Sequence, residues 1–183
     1  MAKFQNPGAF FLGTLVASEQ KFLKPLIENA RKNGYTRFIE PCAGAFAMSH
    51  IAAQSGYKPS EIEASDVAMF TSIMGYAITG QSLEELEIRA HGFTDEELLD
   101  PAVALYAQLY LRTVRSAGKE YFYNIMRDLE CRKDQHIAYI REQLQRAHDV
   151  LNGMSYRPLD MWKHLEECYD CLLYTSDAAD DLT

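Results

Sequence analysis

A chain of 183 residues, 48% hydrophobic and 24% charged, can bury one sizeable core, which excludes intrinsic disorder as the starting point. Its formal net charge of −8 argues against indiscriminate binding to nucleic acid. No apolar run approaches the roughly 18 residues of a membrane span, and the first residues lack the pattern of a secretory leader. No membrane partner and a cytoplasmic location are therefore expected.

Residues 1–20 are mixed and include Gly8 and Gly13. The spacing predicts a helix over 21–32, with Phe22, Leu23, Leu26, Ile27 and Ala30 on one face. Pro25 suits only its first turn, and Asn33-Gly34 is its stop. Residues 37–40 read as a short buried strand ended by Pro41. Ala43-Gly44-Ala45 is a tight turn, followed by a helix over 46–54 that Ser55-Gly56 stops. A second strand is expected at 62–66 and a helix at 67–77, ended by Thr79-Gly80. Strand, helix, strand, helix is the spacing of a parallel α/β sheet.

From Ser82 to about Asn152 the pattern turns helical throughout. Pro101 starts one helix, and residues 121–129 form another. Ile137, Ile140, Leu144, Ala147 and Leu151 step by three and four, so they share one stripe of a long amphipathic helix. After Asn152-Gly153, a third strand at 154–157 and a helix from Asp160 return the chain to α/β. The organisation is thus an α/β part over 1–80, a helical insertion over 81–152 and a return over 153–170. An insertion at the carboxyl edge of a sheet shapes a binding site.

Cysteines occur at 42, 131, 168 and 171, and only the last two have metal-like spacing. The five histidines share no metal spacing either, so no metal is expected. Residues 171–183 lack any helical or strand period. They resemble the in-frame translation of a transposase-type sequencing adapter. A non-native tail is expected there, with natural sequence continuing beyond about residue 170.

The segment Phe38-Ile39-Glu40-Pro41-Cys42-Ala43-Gly44-Ala45-Phe46 carries the most chemistry. A strand delivers Glu40, small residues let a ligand approach the backbone, and a helix amino terminus follows with free N–H groups. Only one glycine is present, so a dinucleotide pyrophosphate loop is not met, and no Walker-type Gly-Lys-Ser/Thr occurs. A cofactor without phosphate fits better. Asp66 ends the second strand, where an acid accepts hydrogen bonds from ribose hydroxyls. The alternative is that Glu40 and Asp66 only cap the helices that follow them.

Basic residues cluster between 112 and 146, eight against five acids. Arg112, Arg115 and Lys119 share a face if their helix continues, and Arg127 follows on the next helix; such a row can track a phosphate backbone. The alternative is a solvated face with local ion pairs.

The 38–45 segment resembles the Phe/Tyr-Val-Glu-Pro-Phe-Ala-Gly-Ser/Ala motif of the Dam-like class of DNA adenine methyltransferases. Ala64-Ser65-Asp66-Val67 is similar to that class's segment after the second strand, and Gly118 to Arg127 to its Tyr-Tyr-x-x-Ile/Leu-Arg segment. Phe11-Leu12-Gly13 with residues 21–27 loosely matches its amino-terminal cofactor motif. Tyr156-Arg157-Pro158-Leu159-Asp160 resembles the strand and acidic turn that precede catalysis. The resemblance implies an incomplete Rossmann-like methyltransferase sheet with a largely helical insertion. It implies S-adenosylmethionine as cofactor, held by Gly13, Glu40, Pro41, Ala43, Gly44, Asp66 and Asp160. It also implies double-stranded DNA as partner, met by the helical insertion, and a restriction-modification setting. The reacting Asp/Asn-Pro-Pro-Tyr/Phe motif, which handles a flipped adenine, has no counterpart, since no Pro-Pro pair exists. No catalytic residue is therefore assigned, and activity is expected only in a longer parent. A nicotinamide oxidoreductase and a non-catalytic helical DNA-binding or interaction module are the competing readings.

Overall fold

The computed structural model describes residue 15, residues 17–115 and residues 120–168. Among the described residues there are a three-stranded parallel sheet and seven α-helices. In chain order these are α1 (Ala17–Lys32), β1 (Phe38–Pro41), α2 (Ala47–Gln54), β2 (Ile62–Ser65), α3 (Met69–Thr79), α4 (Pro101–Arg115), α5 (Glu120–Cys131), α6 (Lys133–Leu151), β3 (Ser155–Arg157) and α7 (Met161–Glu167). The strand order is β1-β2-β3. None of the described helices is long and apolar enough to cross a membrane.

Register assigns the two faces of the sheet. Glu40 pairs with Ala64, and Ala64 with Tyr156, so these side chains point the same way. With Phe38 and Ile62 they form a face covered by α2 and α3. Phe46, at the entry to α2, lies 5.5 Å edge-on to the Tyr156 ring, and Tyr76 of α3 lies 6.2 Å from it. The opposite face carries Ile39, Glu63 and Ser65, and there α7 packs through buried His164. All four residues of β1 are buried, as a strand covered on both sides requires.

The helical part joins this core instead of forming its own. Buried Ala104, Leu105, Tyr106, Ile137, Ile140 and Leu151 belong to one cluster with Phe46, Ile62 and Ile73. Asp100 caps α4 by accepting from the Ala102 N–H at 2.8 Å, with Pro101 in the first turn. The Tyr106 hydroxyl donates to the Leu129 carbonyl at 3.1 Å and ties α4 to α5. The apolar stripe of α6 faces inward as expected: Ile137, Ile140, Ala147 and Leu151 are buried and Leu144 packs against the core.

Three expectations need correction. First, α1 begins at Ala17, so Pro25 lies in the helix interior rather than its first turn. The bond it forfeits is to the carbonyl of Lys21, an exposed residue, where water can serve as donor. Second, only part of the expected apolar face of α1 is inside. Ile27 and Ala30 are buried, while Phe22 is 69% and Leu26 52% exposed. Third, residues 82–100 contain no α-helix, only the 3-10 turns Leu83–Glu85 and Glu97–Leu99. Local side-chain bonds take over the backbone there. Ser82 accepts from the Glu84 N–H at 3.2 Å, Glu97 accepts from the Thr94 N–H at 2.8 Å, and Gly92 turns the chain at φ +87°.

Helix α3 approaches the sheet closely at Gly75, where an added Cβ would lie 2.4 Å from the Tyr156 ring. That ring is held by its own hydroxyl bonds, so it cannot yield. Gly75→Ala is expected to destabilise the fold by about 1–3 kcal/mol, as overpacking does. Urea unfolding measures it; a change near zero would mean that Tyr156 is free to move.

Candidate functional site

Glu40 is a carboxylate 4% exposed, near the end of β1 and just before the small-residue loop. Burial is tolerated because α2 supplies donors. The Met48 N–H donates to Oε1 at 3.2 Å, the Ser49 N–H to Oε2 at 2.9 Å, and the Ser49 hydroxyl also bonds Oε2. These are the orphan N–H groups of the first helical turn. Desolvation still outweighs them, and Glu40 titrates at about 7 instead of 4.5, with Asp66 adding a smaller upward push.

The loop between β1 and α2 is wound tightly. Cys42, Gly44 and Phe46 all have positive φ, at 77°, 51° and 59°. For the two non-glycine residues this costs energy that the surroundings must offset. The Cys42 and Ala43 N–H groups both donate to the Ser65 carbonyl, at 2.8 and 2.9 Å. The Gly44 N–H donates to Asp66 Oδ2 at 3.0 Å, and the Ala68 N–H to Asp66 Oδ1 at 2.8 Å. Buried Phe46 anchors the far end. Beneath it the Tyr156 hydroxyl donates to the Asp66 carbonyl at 2.9 Å and meets Ser72 Oγ at 3.1 Å. Asp66 is thus a splint between the two strand-end loops.

Asp160 stands after β3 as the cap of α7, accepting from the Trp162 N–H at 2.9 Å. Its neighbour Met161 touches Cys42, sulfur to sulfur at 3.6 Å. The Cys42 thiol is pushed up by burial first, then by the charges of Asp66, Asp160 and Glu40. The charges of acids near the carboxyl ends of all three strands therefore reach Cys42, on the edge where open α/β sheets bind ligands.

Of the residues expected at this site, Glu40, Pro41, Ala43, Gly44, Asp66 and Asp160 come together, with Pro41 and Ala43 buried. Gly13 lies outside the described residues. Glu40 does the capping work named as the alternative to ligand contact, accepting from the first turn of α2, whereas Asp66 accepts from Gly44 and Ala68, before α3 begins. Sequence spacing missed the exposed apolar side chains along this edge: Val67 at 68%, Met69 at 36% and Trp162 at 67%. The signal was their position directly after two strand-end acids.

The expected DNA-facing residues are more scattered. Arg112 and Arg115 are exposed on α4 and Arg127 on α5, and Lys119 lies outside the described residues. Farther on, the ion-pair alternative describes the chain: Arg141 pairs with Asp100 at 2.5 Å, Arg146 with Glu142 at 2.5 Å, and Arg132 with Asp128. Lys133 sits 4.8 Å from the Phe93 ring centroid.

A second group escaped the reading by spacing. Glu63, His164 and Cys168 each offer a ligand atom, all within 4.8 Å of one another. His164 and Cys168 are four apart, one turn along the end of α7, and only the sheet brings Glu63 to them.

The family model described as phage DNA adenine methylase-like domain 1 matches residues 11–171 of the chain. Comparison with curated proteins and with solved structures finds no match.

The raised Glu40 value has a signed consequence. Its contribution to stability is complete below about pH 4.5 and is lost as pH rises through about 7. Relative to Glu40→Gln, the wild-type chain should lose about 3 kcal/mol of unfolding free energy over that window. Urea unfolding at several pH values tests this; parallel curves for the two proteins would show that Glu40 folds as an ordinary carboxylate.

Proposed function

The chain belongs to the phage DNA adenine methylase-like family, and on that premise we propose that it holds S-adenosylmethionine at the carboxyl edge of its sheet as part of a DNA adenine methyltransferase. The observation that carries this reading is the small-residue loop after β1, braced by Asp66 through the Gly44 N–H at 3.0 Å and met by Met161, beside Asp160, at Cys42. S-adenosylmethionine supplies an electrophilic methyl group on a cationic sulfonium, beside a cationic amine. The carboxylates of Asp66 and Asp160 suit that charge, and they oppose the pyrophosphate of a nicotinamide cofactor. Asp66 retains lone pairs for ribose hydroxyls beyond its two backbone bonds. The small residues at 43, 44, 45 and 47 leave room for the ligand against the backbone, and exposed Val67 offers an apolar face to a base. Pro41 and Ala43 shape the loop, and Gly13 completes the set by resemblance. In this reading the parallel strands are part of a Rossmann-like sheet.

Duplex DNA is the substrate expected of the family, approached by Arg112, Arg115, Lys119 and Arg127. The transfer step is assigned to no residue of this chain, because it has no Pro-Pro pair to form the motif that would grip the adenine. A restriction-modification setting and a cytoplasmic location go with this reading. A second reading, a non-catalytic DNA-binding module, draws on the engagement of Glu40 by the first turn of α2.

Calorimetry of the full chain with S-adenosylmethionine is expected to give saturable binding. Asp66→Asn should weaken it roughly tenfold or more, since a lost charged acceptor costs about 1.5–3 kcal/mol. Absence of binding to the wild-type chain would remove the proposal. Retention of duplex DNA without cofactor binding would favour the interaction module, and binding of NAD the oxidoreductase.

A further inference from the structure

On the sheet face opposite Glu40, three side chains form a second constellation with no part in the cofactor crevice. Glu63 projects from the middle strand, and His164 and Cys168 face it from α7 and its carboxyl end. One ligand atom from each lies within 4.8 Å of the others. His164 is fully buried, and its Nδ1 lies 2.6 Å from Ser65 Oγ. Its Nε2 is buried without any hydrogen-bond partner, and Glu63 Oε2 lies 4.0 Å from it. A buried imidazole nitrogen left unpaired costs about 1–3 kcal/mol, and such orphans call for an explanation. With the proton on Nδ1 and shared with Ser65, the Nε2 lone pair faces a carboxylate and a thiol. That is the tautomer of a metal-bound histidine, with a second group orienting the ring through its other nitrogen.

We propose that Glu63, His164 and Cys168 bind a divalent cation of borderline softness, with zinc the best chemical match. One oxygen, one imidazole nitrogen and one thiolate are all zinc donors, at distances of about 2.0–2.3 Å. Tetrahedral bonds of that length separate the donor atoms by under 4 Å, so the site closes by small side-chain rotations. A fourth position is left to water. Binding replaces the S–H bond of Cys168 with a sulfur–metal bond, and the proton leaves to solvent. Arg37 now occupies this place as a built-in cation. It donates to Glu63 through Nε at 2.5 Å and through its terminal nitrogen at 2.8 Å, and the same nitrogen lies 3.8 Å from Cys168 Sγ. The metal therefore competes with Arg37 for Glu63. Once loaded it pins α7 to β2, and with α7 its first turn, where Met161 meets Cys42 at the crevice.

The test is titration of the chelator-treated full chain with cobalt(II), followed by displacement with zinc. The expected result is one equivalent of tetrahedral cobalt with a thiolate-to-cobalt charge-transfer band, and a zinc-dependent rise in melting temperature. Cys168→Ser should abolish the band. Glu63→Gln, at a partly exposed position, should keep the fold and weaken binding roughly tenfold or more. Arg37→Gln, which removes the competing cation, should tighten it. Absence of the band in the wild-type chain overturns the proposal. So does its persistence in Cys168→Ser, which would assign the metal to another thiol, or unchanged affinity in a folded Glu63→Gln.

Discussion

The arrangement depends on one buried carboxylate. Glu40 sits at the end of a strand covered on both faces, where an ionised group without donors could not remain. The first turn of α2 provides those donors, since its leading N–H groups have no partners of their own. Strand and helix each satisfy what the other lacks. This exchange fixes the angle at which the chain leaves β1, and so requires the tight loop with positive φ at Cys42, Gly44 and Phe46. The loop in turn needs an acceptor for its own N–H groups, and finds it in Asp66 and the Ser65 carbonyl.

Tyr156 extends the same logic across the sheet. Its ring fills the space that Gly75 vacates, and its hydroxyl reaches back to the Asp66 carbonyl. The strand that follows the helical region is therefore keyed to the turn that precedes it. Helices α4 and α6 share one core with α2 and α3. The two sheet faces divide the chemistry. Carboxylates gather at the carboxyl edge, and the Glu63, His164 and Cys168 group occupies the face under α7.

Much of this was legible in residue order. The stripe from Ile137 to Leu151 names its own buried face, because a period near 3.6 admits only one inward direction. Asp100-Pro101 announces the start of α4, since a cap and a proline serve a first turn and little else. Phe38 to Asp66 announces strand, turn, helix and strand. Residues 82–100 misled for an identifiable reason. Their apolar and acidic residues suit a helix, but Ser82, Thr94 and Glu97 bind nearby backbone and hold it in 3-10 turns. Phe22 and Leu26 misled because periodicity tells which residues share a face, not how much of that face a neighbour covers.

By itself, then, the sequence determined most of the elements, the parallel α/β class and the loop from Glu40 to Gly44, which follow from local patterning along the chain. Tertiary structure alone decided that Glu40 is spent on capping α2, that Asp66 braces two loops, and that Met161, beside Asp160, meets Cys42. It also decided that Glu63 meets His164 about a hundred positions away in the chain. The physical reason is that hydrogen-bond accounting for a buried polar group closes only in three dimensions. Its partners come from elements whose separation along the chain carries no periodic signal.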